Sequence, residues 1–192
     1  MTSITHRLYQ QPWPEGPYTF WQMGFVVDDV IAAAQRWATT FGVGPFHVLP
    51  KQRDVPYEHR GTPSQVSMQV AVAQAGPTQI ELIQQLCDRP SIFLELLEDR
   101  TSAFHQICTV TGDYDATKAH YLSKGYALGG EIVAPMQRVA YFDTMADFGF
   151  FTEVVEENPV FLQQLAAISR TCAEWDGTDP VRLLTRDGYR TP

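Results

Sequence analysis

The 192-residue chain carries 22 acidic against 14 basic residues, a net charge of −8, so it has no cationic surface to exchange for the counterions of a nucleic acid. Hydrophobic residues make up 44% and charged residues 19%, which is the balance of a folded globular protein and not of a disordered one. The length fits one large domain or two small similar halves, and no apolar run approaches the roughly 20 residues that a bilayer crossing needs, so a cytoplasmic location without a membrane partner is expected.

The first ten residues, MTSITHRLYQ, lack the apolar region of a signal peptide, and residues 1–17 read as an N-terminal extension. FWQMGFVVDD, from Phe20 to Asp29, is a β-rich run ending in an aspartate placed to cap a helix. VIAAAQRWATTF then carries apolar residues at helical spacing and is stopped by Gly42 and Gly44. PFHVL, QVSMQVAVAQ and TQIELIQQL follow as strands. Between the first two of these lies KQRDVPYEHRGTPS, residues 51–64, which is polar, contains two prolines and has no periodicity. It is expected to form a long loop over a cleft. These elements make up a first module, residues 18–89, and Pro90 with SIFLELL opens a linking helix within residues 90–103.

At Phe104 the pattern begins again. FHQICTVTGD repeats the first strand at an offset of 84 residues, which aligns Gln22 with Gln106, Asp29 with Asp113, Ala32 with Ala116 and Trp37 with Tyr121. YDATKAHYLSK is the second helix, ended by Gly125, and ALGGEIV, QRVAYFD and GFFTEVVE are the strands that complete a second module, residues 104–158. PVFLQQL starts a C-terminal helix, and the tail to residue 192 is apolar enough to pack on the domain or on a partner subunit. The expected fold is therefore α+β: two tandem βαβββ modules whose curved mixed sheet surrounds a cleft, with an extra C-terminal helix.

Strand parity then selects the contents of the cleft, because residues two apart share a face. Gln22 and Gln106 occupy equivalent first strands, and Glu81 in QIELI and Glu153 in FTEVV occupy equivalent last strands. Two carboxylates buried together are costly unless a cation or a shared proton offsets their repulsion, so this pair points to chemistry. The same parity sends His105 to the face opposite Gln106 unless a β-bulge intervenes. Phe20, Phe46, Phe104, Tyr141, Phe148 and Phe151 are aromatic candidates for the cleft wall, and His47 is a candidate substrate contact. Asp143 is expected to hydrogen-bond its own loop. Cys87, Cys108 and Cys172 are odd in number and lack metal-binding spacing, so they read as thiols, with Cys108 a small core residue.

The stretches WQMGFVVDD, TQIELI, FHQICTVTGDYDA, RVAYFDT and FFTEVV resemble the vicinal oxygen chelate superfamily, which includes glyoxalase I, methylmalonyl-CoA epimerase, extradiol dioxygenases and bleomycin-resistance proteins. The resemblance spans residues 18–158 and implies that each module supplies two metal ligands, here Gln22, Glu81, Gln106 and Glu153. Family members commonly have paired histidines at the third position, where this chain has His105–Gln106. The resemblance implies a divalent metal (Mg, Mn, Ni, Co or Zn), and two amides with two carboxylates favour the harder of these ions. It also implies a homodimer. The activity implied is that of a glyoxalase-like isomerase, epimerase or lyase that abstracts a proton next to the carbonyl of a hydrophobic or aromatic small molecule, with Glu153 and Glu81 as the catalytic groups. Without a metal, the two carboxyls would share a proton and divide the acid and base roles. The alternative is a non-catalytic protein of the same fold that sequesters a small molecule.

Overall fold

A computed structural model describes residues 20–97, 100–135 and 137–192. The N-terminal extension, residues 1–17, lies outside the described residues. In chain order the first half contains β1 (Phe20–Val27), α1 (Val30–Phe41), β2 (Phe46–Val48), β3 (Gln52–His59), β4 (Thr62–Ala75), β5 (Thr78–Gln85) and a single helical turn, α2 (Ile92–Glu95). The second half contains β6 (Ser102–Thr111), α3 (Tyr114–Ser123), β7 (Leu128–Ala134), β8 (Gln137–Phe142), α4 (Met145–Phe148) and β9 (Phe151–Glu156). It is followed by α5 (Pro159–Ala173) and a hairpin of β10 (Val181–Thr185) and β11 (Gly188–Arg190).

The capping chemistry of the two long module helices matches the repeat. Asp29 accepts hydrogen bonds from the amides of Ile31 and Ala32, both at 2.9 Å, and Asp113 accepts one from Ala116 at 3.0 Å, so free helix N–H groups are satisfied in both copies. Gly42 ends α1 in the left-handed conformation at φ 65°, where a side chain would be strained. The buried stripe of Val30, Ala33, Ala34 and Ala38 lays α1 on the outer face of the sheet.

All the described strands join one sheet in the order β11-β10-β2-β4-β3-β7-β8-β9-β6-β1-β5, and β5 also pairs with β4. Eight strands therefore close into a ring, with β2, β10 and β11 attached outside it to the far end of the long strand β4. In each half the first strand runs parallel to the last, β1 beside β5 and β6 beside β9. The halves meet through the antiparallel pairs β1–β6 and β3–β7. Apolar residues fill both faces. Inside the ring, Val26, Met68, Val70, Ile83, Val139 and Phe151 are buried together, while Phe46, Ala71, Leu82 and Val181 are buried with the apolar stripe of α1 outside it. Full burial of one such large side chain is worth about 1.5–3 kcal/mol.

Two expectations are corrected and one open alternative is resolved. Residues 51–64 are not a loop: they form β3, a turn at Arg60 and Gly61, and the start of β4. Only Val55 and Tyr57 of β3 turn to the interior core, so the strand carries too few apolar positions to show alternation in the sequence. It is β3, and not PFHVL, that serves as the second strand of the first module. The linking helix is limited to one turn, Ile92–Glu95, capped by the Ser91 hydroxyl. The C-terminal tail packs on its own domain, where β10 pairs in parallel with β2 and buries Val181.

Candidate active site

Strand register brings the four polar candidates to one place. β5, β1, β6 and β9 are consecutive neighbours. Glu81 sits beside Gly24, Gly24 beside Gln106, Gln22 beside Cys108, and Cys108 beside Glu153. The amide nitrogen of Gln106 donates to Glu81 Oε2 at 3.0 Å and to Glu153 Oε2 at 3.4 Å, and so lies between the two carboxyl groups. Its side chain crosses the backbone at Gly24, where a Cβ would overlap Cδ and Nε2 of Gln106. Gln22 donates to Gln79 Oε1 at 2.8 Å, which fixes the fourth side chain.

His105 corrects the parity argument. The register shifts between Gly24–Gln106 and Phe25–Phe104, a β-bulge that turns both His105 and Gln106 inward and sends Phe104 outward against Phe25 and Phe150. The imidazole is fully buried, stacked between Phe93 and Phe151 at centroid distances of 5.1 and 4.9 Å. It stands between two acceptors, the Ile92 carbonyl 3.2 Å from Nε2 and the Gln106 amide oxygen beside Nδ1. Burial lowers its pKa to about 4, so it carries one proton at neutral pH. With its oxygen held this way, Gln106 turns its amide N–H groups to the carboxyls.

Both acids are perturbed by the same causes to different degrees. Burial holds Glu81 well above the usual carboxyl range, the charge of Glu153 adds to this, and the Gln106 hydrogen bond offsets only part. Burial raises Glu153 as well, but the Cys108 thiol, the Tyr141 hydroxyl and the Gln106 amide all donate to its carboxylate and pull it back. Of the two coupled acids, Glu81 is therefore the one raised further and the one that holds its proton to higher pH. The thiol of Cys108 and the phenol of Tyr141 are pushed up by burial and by the two acids, so both remain neutral donors.

Glu81, Glu153, Gln22 and Tyr141 open onto a cavity of about 340 Å³ whose other walls include Met68, Val70, Ile132, Val139, Val155 and, from α5, Phe161. A second cavity of about 240 Å³ shares Gln22, Glu81, Leu49, Phe161 and Gln164 with the first and continues to His47, Gln79 and Tyr189. Of the aromatic candidates, only Tyr141 lines the larger cavity. Phe46 is packed in the outer core because it alternates with His47, and Phe104 is outside because of the bulge. Phe20 is 44% exposed and Phe148 57% exposed, and Phe151 lies beneath the site against His105. Sequence reasoning missed Gln79 and Cys108 as partners of the cluster. Both share strand parity with a chosen residue, and that was the available signal. Asp143 does not close on its own loop alone, since it also accepts an ion pair from Arg60 at 2.9 Å.

The sequence profile of the Glyoxalase/Bleomycin resistance protein/Dioxygenase superfamily matches residues 21–141, and the chain belongs to that superfamily. A search of curated proteins found no match. Among solved structures, methylmalonyl-CoA epimerase from Mycobacterium tuberculosis superposes with a TM-score of 0.56 at 19% identity, covering 83% of this chain and 99% of that one. A methylmalonyl-CoA epimerase in complex with methylmalonyl-CoA and NH4+ gives 0.52 at 18% identity, covering 73% and 95%. A substituted Streptomyces coelicolor methylmalonyl-CoA epimerase in complex with 2-nitronate-propionyl-CoA gives 0.52 at 19% identity, covering 75% and 97%. At these identities the likeness establishes the shared fold.

Members of the superfamily often hold a divalent metal, and the residues of this chain can be tested against one. A cation needs lone pairs directed at it, whereas the space between the two carboxyls here receives the N–H groups of Gln106. Among the described residues no group of three or more His, Cys, Asp or Glu side chains is arranged to hold a metal ion. As placed, the donor set does not fit a metal, and the Gln106 amide stands where a cation would otherwise bridge the acids.

Proposed function

We propose that this protein is an acid–base isomerase or epimerase that moves a proton at the carbon next to a carbonyl in a hydrophobic small molecule. The observation that carries the reading is the pair of buried Glu153 and half-buried Glu81, bridged by one amide nitrogen and opening onto a largely apolar cavity. Glu153, ionised and steadied by Tyr141 and Cys108, is the base that takes the proton from carbon. Glu81, protonated, returns its own proton to carbon from the other side, leaving Glu81 ionised and Glu153 protonated. Exchange with solvent then restores the starting state.

The fold neighbours support an epimerase within this class, since they are epimerases of an acyl-CoA thioester. With no Lys or Arg among the described residues lining the cavity, the body of the substrate is proposed to be a neutral hydrophobic ketone or thioester. A sequestering role without turnover is the competing reading, and the apolar walls would serve it equally. The buried acids favour catalysis, because a passive apolar binder gains nothing from the desolvation they cost. Dimer formation, implied by the family resemblance, and the cytoplasmic location expected from the sequence belong to the proposal as well.

The test begins without a substrate. The infrared carbonyl band of a protonated carboxyl is expected at pH 7 and is lost in Glu81→Gln. A panel of ketones and acyl thioesters incubated in deuterated water should then show enzyme-dependent exchange of the C–H next to the carbonyl. In Glu153→Gln that exchange should fall by on the order of a thousandfold. A wild-type spectrum without the protonated band, or exchange that persists in Glu153→Gln, would refute the assignment.

A further inference from the structure

The smaller cavity contains two buried polar side chains that the proton-transfer chemistry does not use. Both ring nitrogens of His47 and the amide nitrogen of Gln79 have no hydrogen-bond partner among the described residues, although both side chains are fully buried. Each left unmet costs about 1–3 kcal/mol. Val72, Leu165, Ile168 and Leu184 supply apolar wall around them, while Gln22, Glu81 and Gln164 line the side shared with the larger cavity. Burial, with the charge of Arg182, keeps His47 neutral with a pKa of about 4, so its ring offers one N–H and one lone pair.

We propose that this cavity of about 240 Å³, lined by His47 and Gln79, is a second ligand compartment that takes a neutral ring bearing a hydroxyl group. The hydroxyl oxygen accepts from the Gln79 amide while its proton is donated to the free nitrogen of His47, which satisfies an orphan donor and an orphan acceptor together. A carbonyl could answer only donors, and a carboxylate would enter as an unpaired charge beside Glu81 with no cation to meet it. The ring of the ligand meets apolar side chains on the remaining sides. Tyr189, on the exposed hairpin β10–β11, lies edge-on to His47 at a centroid distance of 5.0 Å, so the ligand's path to the imidazole runs beneath that ring. Because Gln22 and Glu81 belong to both cavities, a substrate that spans them places its reacting carbon at Glu81 and its hydroxyl-bearing ring at His47. That last placement rests on the proposed proton-transfer site, whereas binding in the compartment does not.

The probes are 4-bromophenol and 4-bromotoluene, which differ by the hydroxyl alone, titrated into the full-length protein by calorimetry with imidazole-labelled histidine followed by NMR. The phenol is expected to bind about tenfold more tightly or better, to shift the His47 resonances, and to place its bromine anomalous signal beside Ile168 and Leu184. His47→Leu and Gln79→Leu, with folding verified by circular dichroism, should each bring the two probes to similar affinity. Leu184→Trp, which fills the compartment and leaves the polar pair intact, should block both. Equal affinities in the wild type, bromine found only in the larger cavity, or binding undiminished in Leu184→Trp would overturn the inference. Neither probe carries the acidic C–H needed for exchange, so failure of the deuterium experiment leaves this result standing, and failure here leaves the proton-transfer reading standing.

Discussion

At the scale of single residues, the site keeps two acids where an apolar core would be more stable. Glu81 has a folded pKa raised above the ordinary 4.5, so its contribution to stability is full below pH 4.5 and is lost as pH rises toward the folded value, because the native state binds a proton that the unfolded chain releases. Glu81→Gln removes that dependence and keeps the shape. The variant should match the wild type near pH 4 and exceed it in stability at pH 7 while losing exchange activity, as read from urea unfolding at both pH values. A wild type more stable than the variant at pH 7 would mean that Glu81 is ionised and well solvated. The acids themselves were legible, since the repeat aligned Gln22 with Gln106 and placed a glutamate in each last strand. The role of Gly24 was not, because the space it leaves for Gln106 depends on how β1 registers against β6, a tertiary fact with no trace in either strand alone.

At the scale of elements, the strand assignments failed where a strand departs from period two. β6 carries one extra residue opposite Gly24 and Phe25, so the alternation that ranks Gln106 with Phe104 breaks between them, and His105 joins the interior. β3 escaped notice for a different reason: its outer face is solvated, its inner face offers only Val55 and Tyr57, and Pro56 dilutes the strand signal. The bulge has a measurable consequence. His105 is neutral in the fold with a pKa of about 4 and titrates near 6.5 when unfolded, so the stability it contributes is present above pH 6.5 and is lost as pH falls to 4. His105→Phe keeps a flat ring between Phe93 and Phe151 and has no such proton. Relative to that variant, the wild type should lose about 1.4 kcal/mol per pH unit across this interval, roughly 3 kcal/mol in all. Parallel stability curves for the two proteins would place the imidazole in contact with water and contradict the inward bulge.

At the scale of the molecule, two copies of one unit complete a ring that neither could close alone, and each copy contributes an amide and a carboxyl to the centre. The duplication was legible because caps, helices and last strands recur at one offset. The closure was not, because it depends on β3 meeting β7, a pairing between distant segments whose sequences carry no mutual signal, whereas β4 and β5 form a local hairpin. The ring predicts an order of local stability. β1 and β6 lie at the seam, each hydrogen-bonded on both edges and packed on both faces, whereas β11 is exposed along its whole length and pairs only with β10. Opening the hairpin exposes Val181 and the half-buried Leu183 and Leu184, a small part of the core, so it should cost much less than global unfolding. In hydrogen exchange followed by mass spectrometry, peptides covering residues 181–190 should exchange at least a hundredfold faster than those covering residues 22–27 and 104–110, a gap of about 3 kcal/mol in opening free energy. Since Leu184 and Tyr189 wall the smaller cavity, this low-energy opening is also the motion that uncovers it. Protection of the hairpin equal to that of the seam would mean that the C-terminal strands fold and unfold with the ring as one unit, and that the smaller cavity is reached only through the larger.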